Sequence, residues 1–236
     1  AVGVSKALGG IGYGLRNSQS ANPINPASYS RVDSLTFLFD IGVTASRARL
    51  SDGVNTQNDD NGGLDYITML MPLSKRVGLS LGILPYSTVG YNFGSSESSS
   101  GSAGVSYIKK YEGNGGFSQI YLGLGYETPI KGLSVGANAS YIFGTLEHIN
   151  SLPYVGSSAS YTSEQHNELQ IKALKLDFGF QYEKALSKRN LLTVGGVFSP
   201  KMGANANFER RYYDLSGTTV IYGDTMTVKN ADSGLP

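Results

Sequence analysis

The chain has 236 residues, a net charge of +1, no cysteine and no tryptophan. That charge balance excludes the basic footprint of a nucleic-acid binder, and the missing thiols exclude a disulfide framework or a thiolate metal site. No stretch reaches the roughly 18 consecutive apolar residues of a membrane-spanning helix, so a helical membrane protein is excluded too.

Residues 1–34 come first and obey no periodicity. Gly3, Gly9, Gly10, Gly12 and Gly14 lie close together, followed by Asn22-Pro23-Ile24-Asn25-Pro26-Ala27. Two prolines among Asn and Ser stop regular structure and favour turns. The segment is too apolar and too Gly-rich for a solvated tail. It predicts a compact irregular element packed inside a barrel, the alternative being a flexible exported N-terminus. Neither an initiating Met nor a basic-then-apolar leader precedes it, which reads as a mature bacterial protein whose signal peptide has been removed.

From residue 35 the chain alternates, as a strand that points successive side chains to opposite faces requires. Over 35–46, Leu35, Phe37, Phe39, Ile41, Val43 and Ala45 oppose Thr36, Leu38, Asp40, Gly42, Thr44 and Ser46. Ile67, Met69, Met71 and Leu73 mark a second strand, Val77, Leu79, Leu81 and Ile83 a third, and Ile120, Leu122, Leu124 and Tyr126 a fourth. Residues 133–144 and 174–183 repeat the pattern: Leu174, Leu176, Phe178, Phe180 and Tyr182 oppose Lys175, Asp177, Gly179, Gln181 and Glu183. Leu192, Val194 and Phe198 mark a seventh strand. Stretches of about 9–11 residues suit tilted strands crossing a bilayer.

The connections alternate as well. Polar or Gly/Ser-rich segments near 51–65, 93–116, 147–168 and 203–218 read as long loops, whereas 74–75, 129–132 and 187–190 are tight turns. Outer-membrane barrels place short turns on the periplasmic side and long loops outside. A soluble sandwich also alternates, so periodicity by itself does not say which face is wet. Three features favour lipid outside: charges and glycines on the polar face, aromatics at strand ends (Tyr66, Tyr126, Tyr141, Phe143, Tyr182), and the asymmetry of the loops. The expected fold class is therefore all-β: a transmembrane antiparallel barrel, with residues 1–34 in its lumen and 35–236 supplying the strands.

Catalytic and cofactor chemistry is not expected. The two histidines, His148 and His166, fall in one expected loop with Glu147, Glu164 and Glu168 near them, and that spacing promises no converging metal ligands. No nucleophile elbow surrounds any serine. Gly10, Gly12 and Gly14 lack the strand–turn–helix context of a nucleotide site. The low-complexity run over 95–104 reads as a loop. Asp40, Lys175, Asp177 and Glu183 face the expected lumen, where such residues shape a polar path or pair with one another.

The N-terminal Ser5-Lys6-Ala7-Leu8-Gly9-Gly10-Ile11-Gly12 and the later Asn22, Pro23, Asn25, Pro26 and Ala27 resemble the N-terminal plug of the FadL/TodX family of outer-membrane transporters, in the style of its Bacteroidetes members. So do Leu84-Pro85-Tyr86-Ser87-Thr88-Val89-Gly90-Tyr91 and the segment 131–141. Members are roughly twice as long and form 14-stranded barrels, so the resemblance implies a C-terminally truncated chain; a complete eight-stranded barrel is the rival. It further implies passive uptake of hydrophobic small molecules such as long-chain fatty acids, with outer-membrane lipid and an apolar ligand as partners. In that family an inward kink of the third strand makes a lateral opening, and here that strand carries Leu84, Pro85 and Tyr86. A proline removes a ladder hydrogen bond, as a break in strand pairing requires. The competing function is a structural or host-contact barrel that binds an external partner through its long loops.

Overall fold

The computed structural model describes residues 2–51, 56–98, 106–155, 160–216 and 219–232. A short helix α1 (Gly3–Ala7) and a 3-10 turn (Pro26–Arg31) precede nine strands. These are β1 (Leu38–Ser51), β2 (Thr56–Ser74), β3 (Val77–Ser98), β4 (Ser106–Glu127), β5 (Leu133–Val155), β6 (Ser160–Ala185), β7 (Leu191–Phe198), β8 (Ala204–Ser216) and β9 (Thr219–Asp232). They form one sheet in the order β1-β2-β3-β4-β5-β6-β8-β9, with β7 also pairing β6. The fold is all-β and antiparallel, and within the described residues β1 and β9 stand at the two ends of this order.

The tight turns lie where the sequence puts them, at 74–77, 128–133 and 186–190. The last is closed by Leu186 N–H donating to Asn190 O at 2.9 Å. The segments read as long loops are different. β2 starts at Thr56, β4 at Ser106 and β6 at Ser160, while β8 fills 204–216. Most of 56–65, 106–116, 147–155, 160–168 and 204–216 is strand, and the ladders run on into it, from Val43↔Leu64 to Ser51↔Thr56 and from Ala173↔Ala204 to Thr162↔Leu215. An antiparallel ladder needs paired backbone groups and no apolar side chains. A polar stretch that pairs is therefore strand, although its side chains carry no burial signal. Of the low-complexity run, 95–98 closes β3 and 99–104 lies outside the described residues.

The chain divides into two compact units. The first comprises Ala1–Pro85, Gln119–Tyr141 and Lys175–Pro200; the second comprises Tyr86–Ser118, Ile142–Leu174 and Lys201–Pro236. In the first unit the polarity of the sheet is inverted relative to a water-soluble protein. Leu122, Phe178 and Phe180 are about half exposed, at 54%, 48% and 49%, whereas Thr68, Ser80, Ser134 and Gln181 are fully buried. Burying a large apolar side chain is worth about 1.5–3 kcal/mol, so covering this row with an apolar environment would be favourable.

What buries the polar face is the N-terminal segment. Its Tyr29 is completely buried and clusters with Val2, Ala21, Val32, Tyr66, Leu70, Leu84 and Tyr121. The segment lies against the backbone of the sheet itself, because glycines line the contact. A Cβ at Gly78 would overlap the Tyr29 carbonyl, and one at Gly136 would overlap the Pro26 carbonyl group. In the second unit a smaller cluster forms from Ile142, Ile171, Ala173, Ala204 and Ala206.

Gly78→Ala should lower stability by about 1–3 kcal/mol, as overpacking against fixed backbone does. Gly90→Ala, at a position with open space around it, should stay within about 0.5 kcal/mol of the parent. Thermal unfolding of both variants checks this, and equal melting temperatures would refute the close-approach account.

Candidate functional site

The N-terminal segment has little regular structure, yet it sits on a buried face. Its backbone carbonyls must find donors there, since an unpaired buried carbonyl costs free energy comparable to a lost hydrogen bond. Side-chain carboxamides supply them. Asn22 Nδ2 donates to Gly12 O at 2.6 Å and Leu15 O at 3.0 Å. Gln181 Nε2, from β6, donates to Tyr13 O at 3.0 Å and Leu15 O at 3.1 Å. Asn138 Nδ2, from β5, donates to Pro23 O at 3.0 Å.

Asn25 does the most. Its Nδ2 donates to Tyr13 O at 2.8 Å and Phe180 O at 3.0 Å, while its Oδ1 accepts from Ala27 N–H at 3.1 Å and caps the 3-10 turn. Pro26 follows as the first residue of that turn, where its missing N–H costs nothing. The residues singled out in the sequence as Asn22, Pro23, Asn25, Pro26 and Ala27 thus form one buried docking knot. Asn138 and Gln181 complete it from the sheet. No sequence pattern separates those two from any other polar position on an alternating strand.

At the start of the segment Gly3 N–H donates to Tyr66 Oη at 3.0 Å, and Tyr66 Oη lies 3.3 Å from Asp40 Oδ2. Lys6 pairs with Asp65. Arg16 Nη2 donates to Ser134 Oγ at 2.7 Å, while its Nε and Nη1 are buried without partners. Burial holds the Arg16 guanidinium below its usual pKa, and the nearby Glu183 opposes that shift. The Tyr29 hydroxyl is pushed well above the usual tyrosine range, first by burial. Ser80, Tyr121 and Asn138 surround it, none in hydrogen-bonding geometry.

Of the residues on the third strand, Leu84 is buried in the core cluster, whereas Pro85 and Tyr86 are exposed. The β2–β3 ladder runs from Ser74↔Val77 to Ile67↔Ile83, and Leu84 and Pro85 follow it; β3 itself continues to Ser98. An apolar cavity of about 680 Å³ is lined by Leu124, Tyr126, Val135, Phe178, Phe180 and Phe198. These side chains belong to the exposed rows, so the cavity is a groove on the outward face and not the internal pocket that a transporter of apolar solutes would need.

In the second unit the histidines lie on strands, not in a loop. His166 on β6 has Nδ1 3.3 Å from Glu147 Oε1 on β5 and Nε2 3.0 Å from Glu164 Oε2, with Tyr213 edge-on to its ring at 5.3 Å. Each ring nitrogen faces a different carboxylate, an ion-pair arrangement in which neither is left to bind a metal. Among the described residues no group of three or more His, Asp or Glu residues is arranged for one. Glu168 and Glu209 stand opposite each other in the β6–β8 ladder, and Arg211 offsets their repulsion by contacting both. His148 is hydrogen-bonded to Tyr91 Oη at 2.8 Å. In the first unit, Asp177 is paired with Lys175 at 3.0 Å and accepts from Ser199 Oγ.

Asn25→Asp should cost at least as much as Asn25→Ala, about 2–4 kcal/mol in either case, because both remove the amide that bridges the Tyr13 and Phe180 carbonyls, leaving Tyr13 O to Gln181 alone, and the carboxylate adds a buried charge. Tyr29→Phe should be neutral or slightly stabilising, since it removes a buried hydroxyl that has no partner. Unfolding free energies of the three variants test this, and a Tyr29→Phe loss above about 1.5 kcal/mol would show that the hydroxyl is bonded after all.

The BamG family matches residues 2–234. No curated protein and no solved structure matches the chain. The match overturns the FadL/TodX resemblance and what it implied: uptake of fatty acids or other hydrophobic compounds, a transporter's plug, and partnership with outer-membrane lipid or an apolar ligand. The residues behind that resemblance have a physical role that carries no information about cargo, because Asn22, Asn25 and Pro26 serve to dock an irregular segment on a sheet. Coarse localisation at the bacterial outer membrane stands, since BamG is an outer-membrane assembly component of the BAM complex. The chain belongs to the BamG family.

Proposed function

We propose that this protein acts in outer-membrane protein assembly as a non-catalytic component of the BAM complex, working through contacts with other proteins. The observation that carries the reading is the BamG match over residues 2–234. The inverted polarity of the first unit supports it: a sheet with apolar rows outside and a sealed polar face inside suits the wall of an outer-membrane barrel. Strand length agrees. β3 to β6 have 22, 22, 23 and 26 residues. A tilted crossing needs about 9–11, so each strand is long enough to cross the bilayer and continue into water.

Two measurements test this reading. Affinity purification of the tagged full chain from its native cells should recover BAM-complex components, and depletion of the chain should lower the amount of folded outer-membrane proteins several-fold. Unchanged outer-membrane protein levels would refute the assembly role. Leu122→Arg should cost about 2–4 kcal/mol if the residue lies near the bilayer midplane, and should reduce membrane insertion accordingly. On a water-facing sheet the same change would be harmless, and wild-type amounts of membrane-inserted variant would contradict the lipid-facing assignment.

A further inference from the structure

The end of the first unit that carries the tight turns is strongly basic. The β2–β3 turn presents Lys75 and Arg76, the β4–β5 turn Lys131, and the β6–β7 turn Lys188 and Arg189, with Lys184 just before it. All are exposed, and none forms an ion pair among the described residues. The turns are neighbours: Glu127 N–H donates to Arg76 O at 2.8 Å, and Glu183 N–H donates to Gly132 O at 2.8 Å. Glu127 and Glu183 do not balance these six cations, and Glu183 is engaged by Arg31 at 3.8 Å. The whole chain has a net charge of only +1, so this concentration of cations is local and not a general property of the protein.

Apolar side chains stand among the charges. Ile130 and Leu186 sit at turn tips and are 62% and 63% exposed. Leu35 is more unusual. It lies in a turn closed by Thr36 N–H donating to Asp33 O at 3.2 Å, with φ at 68°, a left-handed backbone that a leucine adopts only at a cost. Its side chain is completely exposed. Leu38 pairs with Leu70, close to the C-terminal end of β2, so Leu35 lies at the same end of the sheet as the turns. Among the described residues nothing packs on the Leu35 side chain.

We infer that this basic rim, with Leu35, Ile130 and Leu186 as apolar anchors, is the docking surface for an acidic protein partner. The inference rests on the proposed role in the BAM complex and adds to it the chemistry of the partner. A rim of unpaired cations steers and orients an acidic surface, and exposed apolar tips supply the contacts that hold it. Anionic lipid headgroups are the competing occupant, since Leu35 could also enter a lipid interface, but the family match favours a protein partner.

The test uses the full chain in its native cells, with a photo-crosslinking residue placed at Lys131 or Lys188. Alongside it stand a charge-reversed variant, K75E/R76E/K131E/K188E/R189E, and the single change L35G. The expected crosslinks join the chain to an identified BAM-complex component through an acidic peptide. The charge-reversed variant should recover about tenfold less of the complex at equal membrane abundance, and K109E/K110E, in the second unit, should recover as much as wild type. L35G, freed of left-handed strain, should melt at or above the wild-type temperature yet recover less complex. If the reversed variant fails to insert, K131Q/K188Q/R189Q replaces it: its recovery should be less sensitive to salt than that of wild type. Phospholipid adducts, undiminished recovery in the reversed variant or in L35G, or wild-type recovery insensitive to salt would each overturn the inference. Failure of the wild-type chain to recover any BAM component would instead overturn the assembly role on which it rests.

Discussion

The structure of the first unit depends on how an irregular segment can be buried. Residues 9–25 offer carbonyl groups that no helix or ladder satisfies, and part of the segment, including Gly12, Ala21, Asn22 and Asn25, is buried. The answer is a set of carboxamides on both partners: Asn22 and Asn25 from the segment, Asn138 and Gln181 from the sheet. A carboxamide brings two donors on one planar group, so it can hold two carbonyls from different turns of chain. Asn25 does this while its oxygen caps the 3-10 turn, which ties segment, turn and β6 together at one side chain. The glycines opposite let the backbones approach closely enough for these bonds to form.

That docking fixes the polarity of everything outside it. The polar rows of β5 and β6 supply Asn138 and Gln181 to the segment, and the alternating apolar rows face the other way. The sheet then has one polar face buried under the segment and one apolar face left exposed. In the second unit the strands carry His166 between Glu147 and Glu164, and Arg211 between Glu168 and Glu209.

Alternation makes the strands of the first unit and their two faces legible. Phe178, Phe180 and Tyr182 against Asp177, Gly179 and Gln181 state both the strand and its two faces, and the tight turns around Lys75, Lys131 and Lys188 follow from it. The polar halves of the strands were not legible. Residues 162–168 pair with 209–215 through backbone bonds, and Gln165 or Asn167 looks the same in a loop as on a solvated ladder. Nor was the 18-residue gap between His148 and His166 informative, because only the β5–β6 pairing brings His166 beside Glu147. The family was misread for a related reason. Asn22-Pro23-Ile24-Asn25-Pro26-Ala27 encodes how a segment docks on a sheet, and it does not encode what passes through or binds to that sheet.

The central claim is that the first unit turns apolar rows to lipid and seals its polar rows with the N-terminal segment. Nitroxide labels placed one at a time along 120–126 in the membrane-inserted protein test it most directly, by comparing collisions with lipid-soluble oxygen and with a water-soluble relaxant. The account predicts a period of two: labels at Ile120, Leu122, Leu124 and Tyr126 collide with oxygen, and labels at Tyr121, Gly123 and Gly125 collide with neither, or displace the segment. Uniform access of the water-soluble reagent to the rows of Leu122 and Leu124 would contradict it.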